Sequence, residues 1–357
     1  MADMIMATDK VMRLEGVPAT WHNKETRFSS GLDKDTLIAS VADYQIRVEH
    51  LVRESDGLQT GKVGVWGRND TYYQDRSSRY NPIQPTEVLN LCYDMLAEIG
   101  TSPRMIGTLK DGAYIWMQSE PIANFGRLSG DNSSVFMTMG CSWDGSYPFY
   151  GLPMLTEHVC WNTRPSLESI DSKKDARTFS FRNPDRDEIL KPENIQAMRE
   201  AWAVQKITFE RMIELDDRLV RAQLDPSELL RGDLNRFAYL ASNPSQIRKV
   251  VEWNEGAGLD GLLDAVIRQD EWKSLPTSQE KLDRRAKDIL TTITDGPGQS
   301  LESRQGTAWG LFNGVTRFAD HGKKDPDSNL LAVLTGGNTE QKMGAYVLAH
   351  AIANRVL

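Results

Sequence analysis

The sequence predicts an α+β fold: an antiparallel-sheet-rich N-terminal domain over residues 1–190 and a mostly helical region, suited to packing or assembly, over 191–357. Three observations carry that reading. Up to about residue 190 the chain runs in short alternating segments joined by Asp-Gly turns, connections too short for the crossover helices that parallel strands need. One amphipathic segment, 87–99, interrupts those strands as a covering helix would. From Pro192 onward, apolar residues recur at helical spacing almost throughout.

Taken in order, Asp33 caps a short helix, "KDTLIASVADY", because its carboxylate accepts from orphan backbone amides at the positive end of the dipole. "YQIRVEHLV" then alternates, with Ile46, Val48 and His50 on one side and Arg47, Glu49 and Leu51 on the other. Asp56-Gly57 supplies a turn and "KVGVWGR" returns as a second strand. "TYYQDRSSRY" reads as a third strand or an ordered loop, stopped by the prolines of "NPIQPT". Residues 87–99 place Val88, Leu91, Cys92, Met95, Leu96 and Ile99 at helical spacing, with Thr86 and Gly100 as the expected caps. Hairpins follow, turning at Asp111-Gly112 and near Asp144-Gly145, and "ARTFSFR" alternates again.

The helical half begins with a segment at 192–223 that carries Ile195, Met198, Trp202, Phe209, Met212 and Leu219 on a heptad-like face broken by Gln205 and Asp216. Those interruptions argue for packing on the domain rather than a free coiled coil. Asp216 and Asp217 read as the solvated face of this helix. Asn243-Pro244 is expected to start a further helix, and Thr277 with Glu280 to form a capping box ahead of Leu282, Ala286, Ile289, Leu290 and Ile293. Two more helical segments are expected over 303–320 and 339–356.

With 357 residues, 39% hydrophobic and 26% charged, the composition is that of a soluble globular protein. No stretch approaches 18 consecutive apolar residues, and Asp3, Asp9 and Lys10 interrupt the start, so neither a membrane span nor a signal peptide is expected. A cytoplasmic protein follows, with Cys92, Cys141 and Cys160 as reduced thiols. The net charge of −8 divides into −6 for residues 1–190 and −2 for 191–357, so neither half carries the basic footprint of a protein that coats nucleic acid.

Most chemical signatures fail. "GLQTGKV" is one residue short of a phosphate-binding loop and has Val63 where a hydroxyl belongs. His158 and Cys160 lack the further ligands of a zinc site, and there is no GxSxG nucleophile elbow. Cys141 and Ser142 sit where a hairpin wants small polar residues. The remaining pattern is aromatic residues interleaved with basic ones, the composition of a single-strand platform on which bases stack while cations hold phosphates. Lys62, Trp66, Arg68, Tyr72, Tyr73, Arg76, Arg79 and Tyr80 fit it, as do Arg177 and Phe179, beside Phe181 on one face of a second strand, and Arg182 on its other face. The competing account is that these aromatic residues are ordinary strand core.

Several stretches are also familiar together. "TWHNKETRF", "VGVWGRNDTYYQDRSSRYNPIQPTEVLNL", "GTLKDGAYIWM", "HVCWNT" and "GTAWGLFNGVTRFADH" follow one another in an order similar to that of the phage and plasmid-like proteins classed as domain of unknown function 932, over about residues 20 to 320. At "FSFRNP" the chain departs, with Asn183-Pro184 where the family pattern tends to have Arg-His-Thr. The resemblance implies a bacteriophage, prophage or other mobile-element gene acting in the bacterial cytoplasm, and supplies no activity or catalytic residues. The strand-rich unit followed by a helix also resembles, in pattern, the core of phage single-strand annealing proteins, which form rings or filaments on DNA.

The function expected is therefore single-stranded nucleic-acid binding in phage or mobile-element DNA metabolism, as a homo-oligomer without covalent chemistry. No cofactor is expected, apart from Mg²⁺ as a bridge between acidic side chains and phosphates. Two alternatives stand beside it. One is an accessory factor that binds a host or phage protein. The other is an enzyme with dispersed carboxylates, using a His such as His22, His158 or His321.

Overall fold

The computed structural model describes residues 11–14, 25–28, 33–125, 133–157, 163–164, 179–181, 185–222, 224, 231–243, 275–276, 278–302, 304–322, 332–333 and 338–356. The fold is α+β, with sheets in the N-terminal half and helices beyond. Two compact units share the chain: Met1–Ala123 with Phe136–Pro153 and Arg177–Gln205, and Asn124–Val135 with Met154–Ala176 and Lys206–Leu357.

In the first unit β1 (Val11–Leu14) and β2 (Glu25–Phe28) precede a short helix, α1 (Lys34–Ala39), that Asp33 caps by accepting from the Thr36 amide at 2.9 Å. A three-stranded antiparallel sheet follows: β3 (Arg47–Val52), β4 (Gln59–Trp66) and β5 (Tyr72–Ser77). Helix α2 (Pro85–Glu98) comes next. It starts two residues earlier than Thr86 as cap would require, because Pro85 takes the first helical position, where no N–H is needed. Gln84 is the cap, and the Glu87 carboxylate accepts from its amide at 3.0 Å.

The larger sheet contains β6 (Pro103–Leu109), β7 (Tyr114–Ser119), β8 (Ala123–Phe125), β9 (Ser133–Ser142), β10 (Phe149–Glu157), β11 (Thr163–Arg164) and β12 (Phe179–Phe181), in the order β11-β10-β9-β7-β6-β1-β2, with β12 on β10 and β8 on β9. The β6–β7 turn is the expected one, and Lys110, Asp111 and Gly112 all take left-handed backbone (φ 58°, 54° and 85°). One pair departs from the antiparallel expectation: β1 and β2 run parallel.

The core of the first unit lies between α2 and one face of this sheet, where Val88, Cys92 and Leu96 meet Ile106, Ile115, Met117, Met139 and Cys141. On the opposite face the Trp116 indole lies against two glycines. A Cβ at Gly107 would stand 2.9 Å from its ring and one at Gly140 would stand 2.6 Å from the Ile115 carbonyl, so both positions require glycine for the strand to pass.

Helices α3 (Arg186–Ile189) and α4 (Pro192–Arg221) continue the chain, and α5 (Arg231–Ser242), α6 (Arg284–Asp295), α7 (Ala308–His321) and α8 (Thr339–Val356) build the second unit. Its core gathers Leu219, Phe237, Ile289, Trp309, Phe312 and Tyr346. Helix α5 falls within the stretch read as helical from Pro192 onward, though not singled out there, and the helix expected from Asn243-Pro244 falls outside the described residues, as does Thr277. The cap of α6 is Asp283, whose carboxylate accepts from the Ala286 amide at 2.8 Å, while Glu280 belongs to a short 3-10 turn before it. Asp216 is not on a solvated face. It is fully buried among Leu215, Leu219 and Val220 and accepts from the Tyr346 hydroxyl at 2.9 Å. A second buried charge, Asp320, pairs with Lys342, the side chains being 1% and 4% exposed.

Candidate nucleic-acid interface

The aromatic-basic stretch forms β4, β5 and the turn between them. That turn is a single 3-10 turn, Arg68–Asp70, with Asn69 and Asp70 in left-handed backbone (φ 57° each), a conformation these two short polar residues tolerate better than most. It sets a register of Trp66 opposite Tyr72 and Val65 opposite Gln74. The step between those pairs is irregular, and Tyr72 and Tyr73 meet different surroundings in consequence.

Val63 and Val65 are buried, which identifies the inner face of the sheet; cross-strand pairing then puts Trp66, Tyr72, Lys62, Arg47, Glu49 and Asp75 on the outer face. There the rings of Trp66 and Tyr72 meet edge to face at 5.0 Å, and Tyr72 is 45% exposed. Gly64 makes room for them, since a Cβ at that position would stand 2.9 Å from the Trp66 Nε1 and 3.2 Å from the Tyr72 ring. The Trp66 Nε1 has no hydrogen-bond acceptor among the described residues. Lys62 is exposed on the same face, opposite Ser77.

Charges around the ring pair alternate in sign. Arg47 bonds Glu49 at 3.3 Å and also Asp70, and the Tyr72 hydroxyl donates to Asp75. The patch is therefore aromatic with a balanced rim rather than basic.

The other expected residues lie elsewhere. Tyr73 turns inward, its hydroxyl 2.9 Å from that of Tyr44 and donating to the Asp111 carbonyl at 3.1 Å, while Tyr44 donates to the Gly112 carbonyl at 2.7 Å. Arg76 shares the inner side, its guanidinium 5.7 Å from the Tyr80 ring. Tyr80 is buried, and burial pushes its hydroxyl well above the ordinary phenol range. Arg68 is half-buried in the turn and Arg79 is exposed beyond β5. Phe179 lies in β12, opposite Gly151 of β10, while Arg177 and Arg182 fall outside the described residues. The outer face thus brings Trp66 and Tyr72 together, with Lys62 on the same face four residues along β4. Sequence reasoning missed Arg47, Gly64 and Leu51 as their neighbours, although the alternation of "YQIRVEHLV" already put Arg47 and Leu51 on one side.

Nothing in the described residues forms a competing catalytic centre with a metal: no group of three His, Cys, Asp or Glu is placed to hold an ion. His22, His158 and Cys160 lie outside the described residues, and His321 ends α7. Cys92 and Cys141 are free thiols, fully buried, with their ionisation pushed up by that burial. No described helix is long and apolar enough to cross a membrane.

No curated protein and no solved structure matches the chain. One family model does, that of the domain of unknown function DUF932, over residues 73–344. That match takes in β5 from Tyr73 on, α2, both hairpins of the large sheet and the helices as far as the start of α8, and by it the chain belongs to the DUF932 family.

Proposed function

We propose that the protein binds single-stranded nucleic acid on the outer face of the β3–β4–β5 sheet, as a DNA-metabolism protein of a phage or mobile element acting in the host cytoplasm. The observation that supports this most is the Trp66–Tyr72 pair: two rings held against a glycine on an open strand face, one of them 45% exposed, with Lys62 four residues along β4 on the same face. An aromatic side chain on a solvated strand has an apolar face in water for no folding gain, and a base stacked on it is worth about 1–3 kcal/mol.

The electrostatics fix how such binding would behave. Arg47 and Lys62 stand against Glu49, Asp70 and Asp75, so stacking rather than phosphate contact supplies the affinity. With one or two phosphates neutralised, log K falls against log salt with a slope of only about −0.7 to −1.4. Mg²⁺ between the carboxylates of Glu49, Asp70 or Asp75 and the phosphates would raise affinity at constant ionic strength. The test is fluorescence anisotropy with a labelled single-stranded oligonucleotide and its duplex, across a salt series with and without Mg²⁺. Preference for the single strand with a shallow slope is expected; no binding at low salt in either condition would end this reading.

A second reading, docking of a protein partner, draws on a different observation. Val48, Val52 and Leu58 are 40%, 58% and 58% exposed, and all lie in the β3–β4 hairpin. An exposed apolar edge is the surface on which another chain adds a strand.

A further inference from the structure

The outer edge of β3 has open backbone groups over a defined length. At its start both backbone groups of Ile46 are taken by one side chain: its amide donates to the Gln84 Oε1 at 2.9 Å, and its carbonyl accepts from the Gln84 Nε2 at 3.2 Å. Ile46 therefore faces away from β4. Backbone alternation then turns Arg47, Glu49, Leu51 and Arg53 toward β4, and Val48, His50 and Val52 away from it. The bonds present agree, since the Arg53 amide donates to the Leu58 carbonyl at 2.9 Å and the Leu51 carbonyl accepts from the Thr60 hydroxyl at 2.9 Å. No backbone bond among the described residues fills the outward groups of Val48, His50 or Val52. Val48, Val52 and Leu58 are three of the four large hydrophobic residues exposed among those described.

We propose that this edge pairs with β3 of a second copy of the chain, antiparallel, about a two-fold axis at His50. The sequence Val48-x-His50-x-Val52 is palindromic, so the axis sets His50 against its own copy and each Val48 against a Val52. All three outward positions are used, and each such pair exchanges two hydrogen bonds. Shifting the register toward the start of the strand would need Ile46, which Gln84 already occupies. On the opposite side of the ribbon Arg47 meets an Arg53, but these charges are already compensated, Arg47 by Asp70 and Glu49 and Arg53 by Asp56 at 2.9 Å. Those balanced charges favour the chain's own edge over a strongly charged peptide. A two-fold axis normal to the sheet also leaves both Trp66–Tyr72 patches on one side of a continuous six-stranded sheet.

A single strand pair buries less than the roughly 800 Å² per partner of a standard interface, so association in the tens of micromolar is expected. Sedimentation velocity of the full chain, over about 5 to 200 micromolar to bracket so small an interface, should show mass rising from 40.2 kDa toward twice that value. His50→Pro should hold it at one chain, because the N–H it removes faces away from β4 and the internal ladder survives. Val48→Lys should act likewise by placing a charge on the edge. Circular dichroism checks that both variants fold. His50→Cys should form an interchain disulfide on oxidation, the paired Cα atoms being about 5.5 Å apart, while Glu54→Cys, far out of register, should stay at the level of the parent chain. A one-chain mass throughout, a dimer untouched by both folded edge variants, or cross-linking of His50→Cys no greater than that of Glu54→Cys would each overturn the proposal.

Discussion

Replacing Tyr72 by alanine separates the role of the outer face from the stability of the sheet beneath it. The ring is 45% exposed and its chief neighbour is the Trp66 ring at 5.0 Å, so folding should lose about 0.5–1.5 kcal/mol for the aromatic contact and little more. The hydroxyl's bond to Asp75 is exposed at both ends and adds little to that loss. Binding should lose one stacked base, about 1–3 kcal/mol, which at 1.4 kcal/mol per decade is a rise in Kd of about 5- to 150-fold. The assay is anisotropy against a labelled single strand at fixed salt, with a urea melt of each variant alongside. Tyr73→Phe is the control: it removes a hydroxyl bonded to Tyr44 and to the Asp111 carbonyl, so it should lower stability and leave affinity unchanged. A folded Tyr72→Ala whose Kd stays within about twofold of the parent, less than any stacked base is worth, would refute the argument for this face.

Three further outcomes follow from the packing. Gly67→Ala would set a Cβ 2.0 Å from the Tyr73 hydroxyl oxygen, forcing the ring out; overpacking and two lost hydrogen bonds predict about 2–4 kcal/mol in urea unfolding, and a midpoint near the parent's would contradict this geometry. Asp320→Asn leaves Lys342 as a buried charge without its anionic partner, a cost of about 3–5 kcal/mol that a paired Asp320→Leu, Lys342→Met variant should largely recover; the thermal midpoints of both read it out. In a Cys160→Ser background, Cys92 and Cys141 should react with a thiol reagent only on unfolding, since burial disfavours both thiolates, and labelling of the native chain within minutes would show the core is open.

Local chemistry explains what was legible in the sequence. Asp33 as a cap and the left-handed turns at Asp111-Gly112 and Gly145 are short-range choices of residue type, and each is where the sequence places it. What depended on distant partners was not. Asp216 looks solvated until Tyr346, 130 residues on, supplies its hydroxyl. Thr86 looks like a cap until Pro85 and Glu87 shift the cap to Gln84. "RGDLNRFAYLAS" gives a weak helical signal on its own, and buried Phe237, Ala238 and Ala241 settle it only by packing. In the candidate site the residue types were readable and the faces were not. The irregular step beside Trp66 decides that Tyr72 meets solvent and Tyr73 meets Tyr44, and pairing register is a property of three strands together.

Gln84 has a consequence for the size of any assembly. Its amide stands in for one residue of a neighbouring strand, so the sheet has a built stop at one end of β3. An edge open along its whole length invites sliding registers and unlimited growth, the route to fibres. An edge bounded by a stop and centred on a palindrome satisfies itself in one isologous contact and leaves no β3 for a third chain. By taking both backbone groups of Ile46, one glutamine side chain limits the registers open to the proposed pair.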